Sequence, residues 1–117
     1  MPAPRLLLVE DEAALAELLK KYLERLGYLV DACVHPEAAL SLLDADPAGY
    51  QLIITDLTLP GMNGTDLIKR ARERAPHLRA IISSGYPYQP DAANVEFLQK
   101  PFLPKMLAEM VERLLRS

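Results

Sequence analysis

Five polar residues stand at the ends of short apolar runs, and their types suit the handling of a phosphoryl group beside a metal ion. Glu10 and Asp11 follow Leu6–Val9, Asp56 follows Leu52–Thr55, Ser84 follows Ala80–Ser83, and Lys100 follows Glu96–Gln99. Three carboxylates drawn together repel one another, and burial raises their pKa values unless a cation neutralises them. Mg²⁺, or Mn²⁺ in its place, is the natural candidate. It is hard, prefers oxygen, and is typically held by one or two carboxylates with waters and a phosphate. A lysine opposite the metal matches a phosphoryl group as a point charge. A serine hydroxyl can donate to one of its oxygens. Taken singly, each residue has an ordinary reading: an acid pair capping a helix, a loop aspartate, a solvated lysine. The joint arrangement is what points to chemistry.

That arrangement holds only if the apolar runs are parallel strands. Leu6–Val9, stopped by two acids, reads as a buried parallel strand. Leu15, Leu18, Leu19, Tyr22, Leu23 and Leu26 then recur at helical spacing, with charged residues opposite and Gly27 as a stop. Leu29–Cys33 is a second strand, and Asp31 favours a place near the sheet edge. Pro36 suits the first turn of a helix carrying Ala39, Leu40 and Leu43. Leu52–Thr55 is the third strand, ending at Asp56. A loop from Pro60 to Gly64 leads into a helix with Leu67, Ile68 and Ala71 inward and Arg70, Arg72, Glu73 and Arg74 largely outward. Ala80–Ser83 and Glu96–Gln99 are the fourth and fifth strands. The last helix opens at Pro104 and buries Leu107, Met110, Val111, Leu114 and Leu115. Alternating strands and helices favour a parallel sheet with helices on both faces, because right-handed crossovers place them there. In such a sheet every strand's carboxyl end lies along one edge, where open α/β folds bind ligands. The expected fold is a flavodoxin-like, doubly wound, five-stranded sheet in the order 2-1-3-4-5, an order taken over from that fold type.

Composition narrows the function classes. The 117 residues make one domain, residues 1–117, and half of them are hydrophobic. With 13 basic and 16 acidic residues the net charge is −3, and no basic stripe marks a nucleic-acid footprint. Direct nucleic-acid binding is therefore not expected. Cys33, the single cysteine, reads as a small buried hydrophobe. No apolar run reaches the length of a membrane span, and the first residues lack a signal-peptide core. A soluble cytoplasmic domain without membrane insertion is expected. His35 and His77 have no metal-ligand spacing and read as surface residues.

Four stretches resemble the receiver family of two-component response regulators. Val9–Glu12 is similar to its acidic pair after the first strand. Asp56–Gly64 is similar to its phosphoacceptor aspartate and the Pro-Gly-Met loop behind it. Ser83–Tyr86 resembles its hydroxyl residue followed by a small one, and Phe97–Phe102 its aromatic, Lys-Pro and Phe. The resemblance covers nearly the whole chain, and the last two stretches look like receivers attached to hybrid histidine kinases. It implies that Asp56 takes a phosphoryl group from a phosphohistidine, forming an acyl phosphate. It further implies that Glu10 (directly or through water), Asp11, Asp56 and the backbone carbonyl of Thr58 hold Mg²⁺. Lys100 would pair with phosphoryl oxygens, Ser84 would move to bond one of them, and Phe97 would swing inward behind it. The Lys100–Pro101 bond is expected to be cis. Partners would be a histidine kinase or a histidine phosphotransfer domain, with a further protein downstream.

Two departures from the family pattern matter. Position 97 carries Phe where many members have Tyr, so a hydroxyl is missing there. The stretch from Ser84 to Lys100 is short and holds Pro87 and Pro90, which leaves the fourth helix of the family short or missing. At most one turn is expected, around Asp91–Asn94. Three other function classes are weaker. An aspartyl phosphatase would place a second aspartate at position 58, which is Thr58. A flavin module needs a phosphate loop after the first strand, where the chain is anionic. A phosphorylation-independent interaction domain has no use for the acid set and Lys100.

Overall fold

The computed structural model describes residues 3–90 and 95–116. A five-stranded parallel sheet is built from β1 (Arg5–Val9), β2 (Leu29–Cys33), β3 (Leu52–Asp56), β6 (Arg79–Ser84) and β7 (Val95–Gln99), ordered β2-β1-β3-β6-β7. Numbering the main strands alone gives 2-1-3-4-5, as expected. The registers Leu8↔Ile54, Ile54↔Ile81 and Ile82↔Phe97 align the strands so that their carboxyl ends form one edge.

Among the described residues four helices cover the two faces: α1 (Ala13–Arg25), α2 (Pro36–Ala45), α3 (Gly64–Arg74) and α4 (Pro104–Arg116). Successive side chains of a strand point to opposite faces, so each strand feeds both cores. Leu6, Leu8, Ile54, Ile81 and Leu98 pack with Leu19 and Leu23 of α1 and Leu107 and Val111 of α4. Leu7, Val9, Ile53 and Ile82 pack with Leu40 and Leu43 of α2 and Leu67 and Ile68 of α3. Burial on both faces is why these strands read as unbroken apolar runs. β2 lies at a sheet edge, where Asp31 stays half-exposed and accepts a hydrogen bond from the Tyr50 hydroxyl at 2.5 Å.

The loop expected from Pro60 to Gly64 is more ordered than that. Thr58–Leu59 (β4) and Met62–Asn63 (β5) pair antiparallel, so Pro60 and Gly61 form a two-residue turn. Gly61 sits at φ +76°, the left-handed value that the third position of a type II turn requires, with Pro60 before it. Asn63 caps α3: its side-chain oxygen accepts from Asp66 N at 2.8 Å.

The apolar stripe of α1 is narrower than its sequence implies. Leu19 and Leu23 are buried, Leu15 and Tyr22 half-buried, but Leu18 and Leu26 are each 55% exposed. The buried face runs through Ala16, Leu19 and Leu23, and Leu18 points away from the sheet. On α4, Leu107, Val111 and Leu114 are buried, whereas Met110 and Leu115 lie at the margin. Arg72 is not turned outward but half-buried, its Nε donating to the Leu78 carbonyl at 2.9 Å. Between β6 and β7 the described residues, 85–90, contain no helix. The single turn expected around Asp91–Asn94 lies outside the described residues.

This placement separates two leucines of α1 that stand five residues apart, Leu18 and Leu23. Leu23→Ala is expected to cost about 2–5 kcal/mol by emptying a core site. Leu18→Ala should change stability by no more than about 0.5 kcal/mol. Urea unfolding of both variants measures the contrast, and equal losses would contradict the packing described.

Candidate functional site

The carboxyl edge of the sheet gathers the acids. β1 delivers Glu10 one residue past its end, and Glu10 is buried with 3% of its surface exposed. Its Oε1 accepts from the Glu12 backbone N–H at 3.1 Å, which fixes the side chain toward the sheet. Asp11 is exposed. β3 ends on Asp56, which is 7% exposed. One oxygen from each of Glu10, Asp11 and Asp56 falls within a mutual distance of 4.8 Å, the cluster best able to hold a metal among the described residues.

Lys100 follows β7 and reaches into this cluster. Its ammonium lies 2.9 Å from Asp56 Oδ1 and 3.1 Å from Glu10 Oε2. The sequence suggested a lysine facing the acids across a phosphoryl group; here it rests directly on two of them. Burial alone would lower the Lys100 pKa, but the Asp56 and Glu10 carboxylates outweigh burial and raise it. Asp56 moves the other way from an ordinary aspartate. Burial, together with neighbouring Glu10, pushes its pKa up to about 7, against the opposing pull of Lys100. One ammonium does not neutralise the buried acids, and hard oxygen donors short of positive charge fit a small divalent cation.

The backbone of Asp56 is held from several sides. Its carbonyl oxygen accepts from Thr55 Oγ1 at 2.9 Å, and the next residue's N–H, that of Leu57, donates to Ser83 O at 2.8 Å. Gly64 N donates to Leu57 O at 2.6 Å, and a Cβ at Gly64 would run into the Asp56 carbonyl. The β4–β5 ribbon therefore closes back on the aspartate, and only glycine permits the approach. Thr58, on β4, has an exposed side chain.

The response regulator receiver domain model matches residues 6–112. The chain belongs to the response regulator receiver family. The receiver protein CpdR of Brucella abortus is 32% identical, with 95% of this chain and 96% of that protein covered. The regulatory protein VanRB of Enterococcus faecalis is 36% identical over 96% of this chain, but the chain spans only 52% of it. Among solved structures, the receiver domain from the hybrid histidine kinase CckA aligns with a TM-score of 0.87 and 34% identity, covering 95% of this chain and 98% of that one. Several other curated relatives are likewise matched over half of their length or less. Receiver domains of two-component response regulators are signalling modules rather than turnover enzymes.

Within this receiver, Ser84 closes β6 and is 9% exposed. Its Oγ accepts from the Tyr86 backbone N–H at 3.0 Å, and its carbonyl accepts from Lys100 N at 2.8 Å. Phe97 lies on β7, half-buried, on the same side of the sheet as Ile82. The Lys100–Pro101 peptide is cis. His35 and His77 are both exposed, and neither lies in the acidic cluster. No helix among the described residues is long and apolar enough to cross a membrane. Three contributors escaped sequence reading: the Tyr86 amide, the Tyr88 ring beside Phe97, and Gly64 against Asp56. Only the last had a signal, in the Pro60-Gly61 turn that brings Gly64 round.

A raised Asp56 pKa has a definite sign. Relative to the ordinary 3.8, a folded-state value near 7 means that stability is lost as pH rises from about 4 through about 7 in the metal-free protein. A divalent ion must displace that proton, so its affinity should rise as pH climbs through 7 and level off above. Asp56→Asn removes the strained charge. In EDTA at about pH 8 it is expected to melt a few degrees above the parent, equivalent to about 1 kcal/mol. It should also bind Mg²⁺ at least about tenfold more weakly. Scanning calorimetry and Mg²⁺ titration across pH check both statements.

Proposed function

We propose that this receiver accepts a phosphoryl group on Asp56 from a phosphohistidine and uses the modified site to switch a protein interaction. The observation that supports it most directly is the buried Asp56 carboxylate at a strand end, 2.9 Å from the Lys100 ammonium and beside two further acids. In the transfer, an Asp56 carboxylate oxygen forms a bond to phosphorus as the histidine N–P bond breaks. The electron pair returns to the imidazole nitrogen, which takes up a proton. Lys100 turns from the acids to the phosphoryl oxygens, and the Ser84 hydroxyl donates to another of them. Glu10 (directly or through water), Asp11, Asp56 and the Thr58 carbonyl would hold Mg²⁺, which would neutralise charge on the transferring group. The chain's own contribution is positioning and charge stabilisation, as in phosphoryl transfer generally. Water later cleaves the acyl phosphate and restores Asp56.

The partner on the donor side is a histidine kinase or a histidine phosphotransfer domain, and a further protein reads the result. Residues 1–117 act as one receiver unit in the cytoplasm, without touching nucleic acid themselves. CpdR, matched over nearly its full length, is titled a response regulator receiver protein. The structure of the CckA receiver comes from a hybrid kinase. Both support a phosphorelay setting.

Acetyl phosphate with Mg²⁺ is expected to add one phosphoryl mass to the intact chain. Asp56→Asn or excess EDTA should abolish the addition. Lys100→Ala should slow it by about a hundredfold, the usual loss when a group stabilising developing charge is removed. Intact-mass spectrometry reads all three, and equal labelling of the Asn variant would refute Asp56 as the acceptor.

A further inference from the structure

A strand buried on both faces is expected to be apolar throughout, and β6 breaks that rule one residue before its end, at Ser83. Residues paired across parallel strands point to the same face, so a register describes a row of side chains. Asp56 pairs with Ser83, and the pairing of Val9 with Thr55 sets Glu10 level with Asp56. Glu10, Asp56 and Ser83 therefore stand in one row across three strands. The next member of the row is Leu98, which packs with Leu107 of α4 and offers no acceptor. Ser84, one residue further on, turns to the opposite face, so the two serines do not serve the same place.

Ser83 is 4% exposed, and its hydroxyl oxygen has no hydrogen-bond partner among the described residues. A buried hydroxyl in that state has given up its bonds to water and gained none, which an alanine in its place would avoid. Such orphans are rare, and beside a reacting group they point to a partner present in another state. The polar neighbour of Ser83 along the row is Asp56. In the resting site Lys100 holds one Asp56 oxygen at 2.9 Å. Once Lys100 turns to the phosphoryl oxygens, that donor is withdrawn from the carboxyl group just as Asp56 becomes the group that phosphorus must leave.

We propose that Ser83 is the leaving-group donor of this receiver: its hydroxyl bonds to the Asp56 carboxyl group and hastens loss of the phosphoryl group. This rests on the phosphoacceptor reading of Asp56. In the hydrolysis a water oxygen forms a bond to phosphorus as the Asp56 O–P bond breaks. The electron pair of that bond returns to the Asp56 carboxylate, and a proton of the water passes to the departing phosphate. Negative charge grows on the Asp56 oxygen during the step, so a fixed donor is worth more in the transition state than in the acyl phosphate. Ser83 thereby sets how long the modified state lasts.

The test charges the chain with acetyl phosphate in Mg²⁺, removes the excess donor, and follows loss of the phosphoryl mass. Thermal melting in EDTA and Mg²⁺ titration accompany it. Ser83→Ala should keep its phosphoryl group about tenfold longer than the parent, with Mg²⁺ affinity within about twofold. It should also melt no lower than the parent, because no partner is lost with the hydroxyl. Ser83→Cys, close to serine in size but a weak donor, should decay within about threefold of the alanine variant. Decay of either variant at the parent's rate would overturn the inference and leave the phosphoacceptor reading standing. A melting point several degrees lower for Ser83→Ala would overturn it too, by giving the hydroxyl a structural partner. Failure of the parent to take up a phosphoryl group would overturn the phosphoacceptor reading and this inference with it.

Discussion

Two buried carboxylates leaning on one ammonium govern this molecule. Glu10 and Asp56 are nearly sealed from solvent, yet Lys100 is the cation that lies against both. Like charges in a low-dielectric place are costly, and the cost appears as an aspartate that holds its proton to about pH 7. Such a cluster persists only where the surrounding backbone is rigid enough to hold the acids together. The parallel sheet provides that rigidity, since each acid is bound to the end of a strand buried on both faces. The missing positive charge is also what makes the edge receptive to a cation and, through it, to an anion.

Much of the fold was legible because buried parallel strands advertise themselves. Leu6–Val9, Leu52–Thr55 and Ala80–Ser83 are unbroken apolar runs, and each became a strand with its ends displaced by a residue or so. The acids, Ser84 and Lys100 were legible for the same reason, since a polar residue that ends such a run must lie at the sheet's edge. Periodicity was less exact on α1. Leucines three and four apart describe a broad stripe, but the sheet covers only its centre, leaving Leu18 and Leu26 in solvent. Two-residue strands such as β4 and β5 carry no period at all, and only the Pro60-Gly61 turn hints at them. The Tyr88–Phe97 contact had no signal in the chain, because it depends on how an aperiodic segment folds back.

Lys100 links the chemistry to the rest of the fold twice over. Its side chain serves the acids, while its backbone N–H bonds the carbonyl of Ser84. Charge at the cluster and the position of the β6 end are thus joined through one residue. On the far side, the Gly64–Leu57 bond and the crowding of Gly64 against Asp56 leave the acceptor strand little freedom.

The helix-free Gly85–Pro90 connection has a consequence for how such a domain can diversify. The cluster residues sit on strand ends, where a substitution disturbs the sheet or its charges. A surface connection outside the regular elements tolerates substitution, insertion and deletion far more readily. The length and wording of this connection can therefore vary without disturbing the strand ends that hold the acids, because none of the cluster residues lies on it.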